Sequence, residues 1–496
     1  MPNEHLHINS NASNQGRIGV IDIGSNSIRF VVYDKLKRAP SAIYNEKVMC
    51  QLGKGLAKSG KLNPEGVKMA RDAIARYVAL ARNMEVTELD VIATAAMRDA
   101  TDGEAFAIEL EKKHQLHIDT ISGTREARLG AYGILSSMHQ PKGITGDLGG
   151  GSMELVVIEE GGTLGDRISL PIGPLRLLDE CTSIAEIEKK ARQQLKNLPW
   201  LPNKPEQFYA IGGSFRAIAQ IHMQQEHYPL HVVHGYQLKS EKLIPFLDFI
   251  MQTDVESLAK MDSVPTKRAP ILPASAAVLK TVLELLQAKH ITFSASGIRE
   301  GFLFEKLSPF IRTEDGLIAS CSEFANKTGR SIAYANELFE WMQPALGELK
   351  NQDARLAYAF CLMHDVARYI HPEYRAEWSF TRTIQSGLTG LTHPERVQLA
   401  LALYHRHRFK LKEPFKELSL IEERARIWAL LVGSLANLAY HLTGGIAGSL
   451  QHMPLDASKQ KMALKLDKES EVLMGDAIKK RLGGVEEAFQ LWKKFR

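Results

Sequence analysis

The chain has 496 residues, with Lys+Arg 62 against Asp+Glu 57, a formal net charge of +5, and it is 44% hydrophobic. At roughly 100–200 residues per domain it is too long for one core, and its composition excludes a disordered or collagen-like chain. Four scattered cysteines, Cys50, Cys181, Cys321 and Cys361, argue against a disulfide framework or zinc ribbon and suit a reducing compartment.

Residues 1–15 are polar and lack the apolar stretch of a secretory signal, so they read as a flexible lead-in. From there β-type runs follow at residues 18–22, 29–34, 89–94, 117–122, 144–148, 154–159, 207–212 and 290–296. Helical patterns stand between them, notably at 64–84 and 125–138. The alternation predicts an α/β architecture of sheets and covering helices. Beyond about residue 310 the strand signal fades into helices at 333–341, 353–370, 394–405 and 422–441. The uncharged stretch 427–440 is short for a membrane span, which needs about 20 apolar residues, and predicts a buried core helix. The expected domains are 16–140, 141–310, a helical domain at 311–450 and a small appendage at 451–496.

An internal repeat precedes any motif. At a constant offset of 125, DIGSNSIRFVVYD from Asp22 aligns without gaps with DLGGGSMELVVIE from Asp147, and five of the thirteen positions are identical. Each copy predicts a strand ending at an Asp, a turn to a Ser, and a second strand. Gly149, Gly150 and Gly151 before Ser152 let the backbone approach a ligand, and successive N–H groups in such a turn form a concavity for an anion. Gly24, Ser25, Asn26 and Ser27 form the less flexible twin. Asp22 and Asp147 stand where a hard divalent cation or its water would neutralise phosphate charge, and each can equally cap its own turn.

DIGSNS, ISGTREARL, DLGGGS and AIGGS together resemble the exopolyphosphatase and guanosine pentaphosphate phosphohydrolase family, within the actin, sugar kinase and heat-shock ATPase fold group. The resemblance implies two actin-like (ribonuclease H-like) lobes with a cleft between them. An all-α C-terminal domain resembling the His-Asp phosphohydrolase fold would follow. It implies Glu126 as the general base, with Asp147 and Glu154 around the metal and water and Asp22 also at the metal. Phosphate would be held by Ser25, Asn26, Arg29, Arg98, Gly149, Gly150, Gly151, Ser152, Gly212, Gly213, Ser214 and Arg268. The family often has two consecutive acids where this chain has Arg125 before Glu126, so one glutamate fills the role here. Gly297 to Gly301 is assigned to architecture.

The implied cofactor is Mg2+, with a monovalent cation as a further expectation. The implied substrate is inorganic polyphosphate, with guanosine penta- or tetraphosphate as the alternative. A cytoplasmic homodimer active in the stringent response, without nucleic acid or a transmembrane segment, completes the expectation. A kinase of the same fold and a non-catalytic phosphate-chain sensor are the competing classes. In the helical half, Cys361 to Asp365 resembles a His-Asp metal pair, but Arg375 and Glu377 stand where histidines are common, so a fold without a working metal centre is expected. The basic run 405–412 is a candidate strip for a polyphosphate tail.

Overall fold

The structure, a computed structural model, describes residues 16–495 except 197, 199, 201–203, 328–330, 348–350, 458–460 and 469. The lead-in expected at 1–15 lies outside the described residues. The chain divides into two units, Met1–Thr313 and Glu314–Arg496.

The first unit holds two sheets. Strands β1 (Arg17–Ile23), β2 (Ile28–Tyr33), β3 (Ala42–Val48), β4 (Val86–Ala93) and β5 (Ile118–Thr120) pair in the order β3-β2-β1-β4-β5. Strands β6 (Gly143–Leu148), β7 (Met153–Ile158), β8 (Leu164–Leu170), β9 (Gln207–Ile211), β10 (Tyr236–Lys239) and β11 (His290–Phe293) pair in the order β10-β11-β9-β6-β7-β8. Each sheet is thus an antiparallel β-meander continued by parallel strands, with β10 as an added edge. The central strands are near-continuous Ile, Val and Leu because helices or the other lobe cover both faces.

All eight strands expected from the sequence are present. Three further strands of this unit, β3, β8 and β10, are all sheet edges, and a two-residue pair, Leu455–Asp456 with Ala463–Leu464, lies in the second unit. A half-solvated edge carries mixed polar residues and loses the apolar signature that marks central strands; in β3 exposed and half-buried residues alternate.

Helix α1 (Gly123–Ser137) lies between the sheets. Its Leu129 packs with Ile18, Val20 and Ile92 of the first sheet, while Ala127, Ala131 and Ile134 pack with Val156, Ile158 and Ile211 of the second. Each fully buried Ile, Leu or Val stabilises by roughly 1.5–3 kcal/mol, so both lobes clamp this helix. Helix α2 (Ile298–Lys306) crosses it so closely that a Cβ on Gly301 would lie 1.8 Å from the Leu129 carbonyl oxygen. The segment Thr266–Leu286 is long and apolar enough to cross a membrane, but it is mostly buried in the second lobe's core.

The second unit is helical. Its uncharged stretch 427–440 lies in the helix Glu423–Thr443, where Trp428, Leu431, Val432 and Leu435 are fully buried, as expected of a core helix. The helix expected over 353–370 ends at Met363. There His364 Nδ1 meets the Cys361 carbonyl at 2.8 Å and the chain continues in tighter turns. The C-terminal helix Asp476–Trp492 packs along Glu423–Thr443, and the Trp492 indole donates to the Leu346 carbonyl at 3.2 Å. The run 405–412 is not an open basic strip: Arg406 is buried and Arg408 pairs with Glu377 at 2.6 Å, leaving Lys410 and Lys412 exposed.

Candidate functional site

The repeat found in the sequence is a repeat in space. In β1–β2, Asp22 pairs with Arg29 and Ile23 with Ile28; in β6–β7, Asp147 pairs with Glu154 and Leu148 with Met153, the same register 125 residues on. Both turns close with the same bond, Gly24 N–H to Ser27 carbonyl at 3.1 Å and Gly149 N–H to Ser152 carbonyl at 3.0 Å. The loops face each other: a Cβ placed on Gly150 would sit 3.0 Å from the Ser25 Cβ and 3.5 Å from the Asn26 nitrogen. A third loop joins them at Gly212, whose φ of +117° and approach to the Leu148 carbonyl, 2.5 Å from a would-be Cβ, admit only glycine.

Glu126 enters this cleft from α1. Ser122 caps the helix by accepting from the Arg125 N–H, which places Glu126 at the fourth helical position. Because the sheets clamp α1, the Glu126 carboxylate is only 3% exposed, and Arg98 Nη1 donates to its Oε2 at 3.1 Å. The same Arg98 nitrogen donates to the Ile121 carbonyl at 2.9 Å, so the guanidinium is held from two sides.

The charges are sorted. Glu126, Asp147 and Glu154 are all buried, at 3%, 9% and 2% exposure. Burial pushes Glu126 up to about 7, against the pull of Arg98 and with the help of Asp147 and Asp22. Burial likewise pushes Asp147 up to about 6, with Arg216 opposing. Glu154 lies well above the carboxylate range, through burial and then the neighbouring Glu126 charge; it accepts from the Ser169 hydroxyl at 2.7 Å. Opposite them, Arg29, Lys47, Arg216, Arg268 and Arg299 line the same cleft. Arg29 is shifted down by burial and then by Arg299, and Arg216 to about 10 by burial and its arginine neighbours. Lys47 is open to solvent, yet the protein around it and then Arg268 and Arg29 draw its ammonium down as well. Arg268 is lowered too, by burial and then Arg29, while Arg299, despite its burial, is held up by Glu300 and Asp22. Four cations crowded at mutual cost, with the buried Nε atoms of Arg268 and Arg299 lacking hydrogen-bond partners among the described residues, suit a polyanionic ligand.

Of the residues expected from the sequence, the cleft gathers Asp22, Ser25, Asn26, Arg29, Glu126, Asp147, Gly149, Gly150, Ser152, Gly212, Gly213, Ser214 and Arg268. Gly151 lies beside the cleft, where a Cβ on it would sit 3.4 Å from Ser25 Oγ and 3.5 Å from the Ala95 Cβ. Glu154 lies beneath the cleft on Ser169. Arg98, expected among the phosphate binders, grips Glu126 and lines an adjoining cavity. Arg299, assigned to architecture, lines the cleft and donates to Asp22 Oδ2 at 2.9 Å. Its neighbour Glu300 accepts from Tyr33 at 3.1 Å and from the Gly297 N–H at 2.8 Å.

Lys47, Arg216 and Arg299 were missed. Arg216 and Arg299 each sit in the first turn of a helix just after a strand and glycine, AIGGSFR and SASGIR, and that shared context is a signal they carry. Lys47 has no such signal, because it reaches the site through its register with Arg29 on an edge strand.

The carboxylates fit a hard cation in a limited way. Asp22 is engaged by Arg299, and no group of three or more His, Cys, Asp or Glu among the described residues could cage a metal. All-oxygen donors of this number suit an ion that keeps most of its shell in water and phosphate oxygens.

Comparison with known proteins gives two family matches: "Ppx/GppA phosphatase family" over residues 31–310 and "Exopolyphosphatase, C-terminal" over residues 317–488. Retrograde regulation protein 2 of Saccharomyces cerevisiae is 26% identical over 78% of this chain and 72% of its own length. Guanosine-5'-triphosphate,3'-diphosphate pyrophosphatase of Aeromonas salmonicida is 23% identical, covering 90% of this chain and 92% of its own. Exopolyphosphatase 1 of Mycobacterium tuberculosis is 24% identical over 59% of this chain and 88% of its own. Among solved structures, an exopolyphosphatase from Cytophaga hutchinsonii superposes with TM-score 0.54 at 22% identity, over 58% of this chain and 96% of that one. The Ppx/GppA family member of Aquifex aeolicus gives 0.50 at 25%, over 59% and 99%. These likenesses carry the actin-like arrangement of the two sheets.

Proposed function

This chain belongs to the Ppx/GppA phosphatase family, and from that premise we propose that it is an exopolyphosphatase, cleaving the terminal phosphoanhydride bond of inorganic polyphosphate and releasing orthophosphate. One observation carries the reading: twin anion-receptive loops meet at a buried glutamate poised near neutrality, with five cations ranged along the same cleft. The terminal phosphoryl group lies between the loops, against the backbone N–H groups of Gly149 to Gly151 and the Ser25 and Ser152 hydroxyls. Arg29, Arg216, Arg268, Arg299 and Lys47 offset the charge of the phosphates behind it.

Glu126 takes a proton from a water as its oxygen attacks the terminal phosphorus. The anhydride P–O bond breaks, the bridging oxygen stays with the shortened chain, and one orthophosphate results. Arg98 acts through Glu126, holding its carboxylate in place and favouring its ionised form. Asp147, with Glu154 behind it, would hold Mg2+, which when bound spreads the charge developing on the phosphoryl oxygens. Three of the four free cysteines are buried, in keeping with a reducing, cytoplasmic setting. In the helical unit we read a relative of the His-Asp phosphohydrolases in which Arg406, with Nη2 4.0 Å from Asp365, supplies positive charge beside the pair.

A second reading, removal of the 5′ γ-phosphate of guanosine pentaphosphate, is favoured by the relative from Aeromonas salmonicida, whose match spans nearly both chains. Phosphate release measured side by side on long polyphosphate and on the nucleotide, with and without Mg2+, tests both. Higher kcat/KM on polyphosphate and dependence on Mg2+ are expected; preference for the nucleotide would reverse the ranking, and release from neither would sink both.

A further inference from the structure

A second cavity, of about 440 Å³, adjoins the catalytic cleft on the far side of Glu126. Its walls carry three guanidiniums, Arg98, Arg167 and Arg176, against the single carboxylate of Asp99. Asp99 pairs with Arg176 and, at 3.4 Å, with Arg98, so their charges are fixed in place. Arg167, on β8, is exposed and has no ion-pair partner among the described residues. The hydroxyls of Ser122, Thr124 and Ser169 add hydrogen-bonding groups.

Two groups connect this cavity to the site of reaction. Ser152, buried, lines both spaces, and Arg98 lines the cavity while gripping Glu126, which lines the cleft. A loop serine and one ion pair thus stand between the two spaces, with Glu154 beside them on Ser169.

We propose that this cavity is a binding site and exit route for the cleaved orthophosphate, an inference that rests on the exopolyphosphatase reading. Orthophosphate forms at the Ser152 end of the cleft, and the shortened chain, still held by the five cations, stands between it and the cleft mouth. A tetrahedral oxyanion one partition away from a cavity of fixed arginines has a way out that does not require the chain to leave. Successive cleavages of one chain then need no dissociation.

The test uses the full chain, long polyphosphate, and two substitutions outside the catalytic machinery. Thr124→Trp narrows the cavity from its exposed rim, and Arg167→Glu reverses the charge at its mouth without touching packed residues. In rapid-quench measurements both variants should form the first orthophosphate at the wild-type rate, while steady-state release falls about tenfold because product departure now limits turnover. In the Glu126→Gln protein saturated with polyphosphate, added inorganic phosphate should still bind, and Arg167→Glu should weaken that binding about tenfold, as expected for loss of one charge-assisted contact. Unchanged steady-state release in both variants, or no phosphate binding to the saturated protein, overturns the exit while leaving the exopolyphosphatase reading intact. A wild-type protein that releases no phosphate from polyphosphate sinks that reading and the exit with it.

Discussion

The hairpin at Asp22–Arg29 and the hairpin at Asp147–Glu154 share register, turn bond and leading aspartate, yet across the strand from that aspartate one carries a guanidinium and the other a carboxylate. In the first copy Asp22 is matched by Arg299 and stands beside Arg29 and Lys47. In the second, Asp147 and Glu154 are buried beside Glu126, and all three are pushed up by the cost of burying negative charge. One backbone cradle has thus been specialised twice. The first lines the cleft with cations, and the second collects the acids, to which the proposed function gives the water and a divalent ion. A duplicated fold supplies the geometry; a single cross-strand position decides the chemistry of each copy.

Making the copies alike should do the most damage. Arg29→Glu gives the first hairpin the charge of the second and, under the proposed function, removes a phosphate contact worth about 1.5–3 kcal/mol while adding repulsion. We expect kcat/KM on polyphosphate to fall about 1000-fold, with the folded state retained by circular dichroism; a loss under tenfold would mean that Arg29 does not face the chain. A smaller effect lies in the pH profile. Since Glu126 is raised to about 7, its basic form is lost below that pH, so kcat/KM should drop about tenfold per pH unit on the acid side and level off above about 8. A rate that stays flat down to pH 5 would remove Glu126 as the base.

The smallest effect is on stability, and it sets the second copy apart from the first. Glu154 has a folded pKa above its unfolded value, so the folded state holds a proton that the unfolded state releases. Stability is then greatest below the unfolded value and declines as pH rises through the window up to the folded one. Glu154→Gln should accordingly raise Tm by roughly 2–5 °C at pH 8 in the absence of Mg2+ and phosphate, and by much less at pH 4.5. An equal shift at both pH values would show that packing, not charge, is responsible.

The comparison also separates what was legible in the sequence from what was not. The hairpins, Asp22, Asp147 and Glu126 could be read because a gapless repeat and Gly-rich turns are local patterns, and the central strands because burial on both faces leaves unbroken apolar runs. The edge strands β3, β8 and β10 could not, since half of each faces water. Lys47 followed β3 out of view. Arg98 is expected from the sequence as a phosphate binder, but nothing local shows that its guanidinium also reaches Ile121 and Glu126. Arg299 sat in a segment that had an adequate structural explanation, and only its reach across to Asp22 reveals a second role.

The most direct test of the account is the turnover number of Glu126→Gln on long polyphosphate beside that of the wild type. The substitution keeps size and hydrogen-bonding shape and removes only the base. Loss of about 100-fold or more, with KM little changed, is the predicted result; near-normal phosphate release by the folded variant would contradict it.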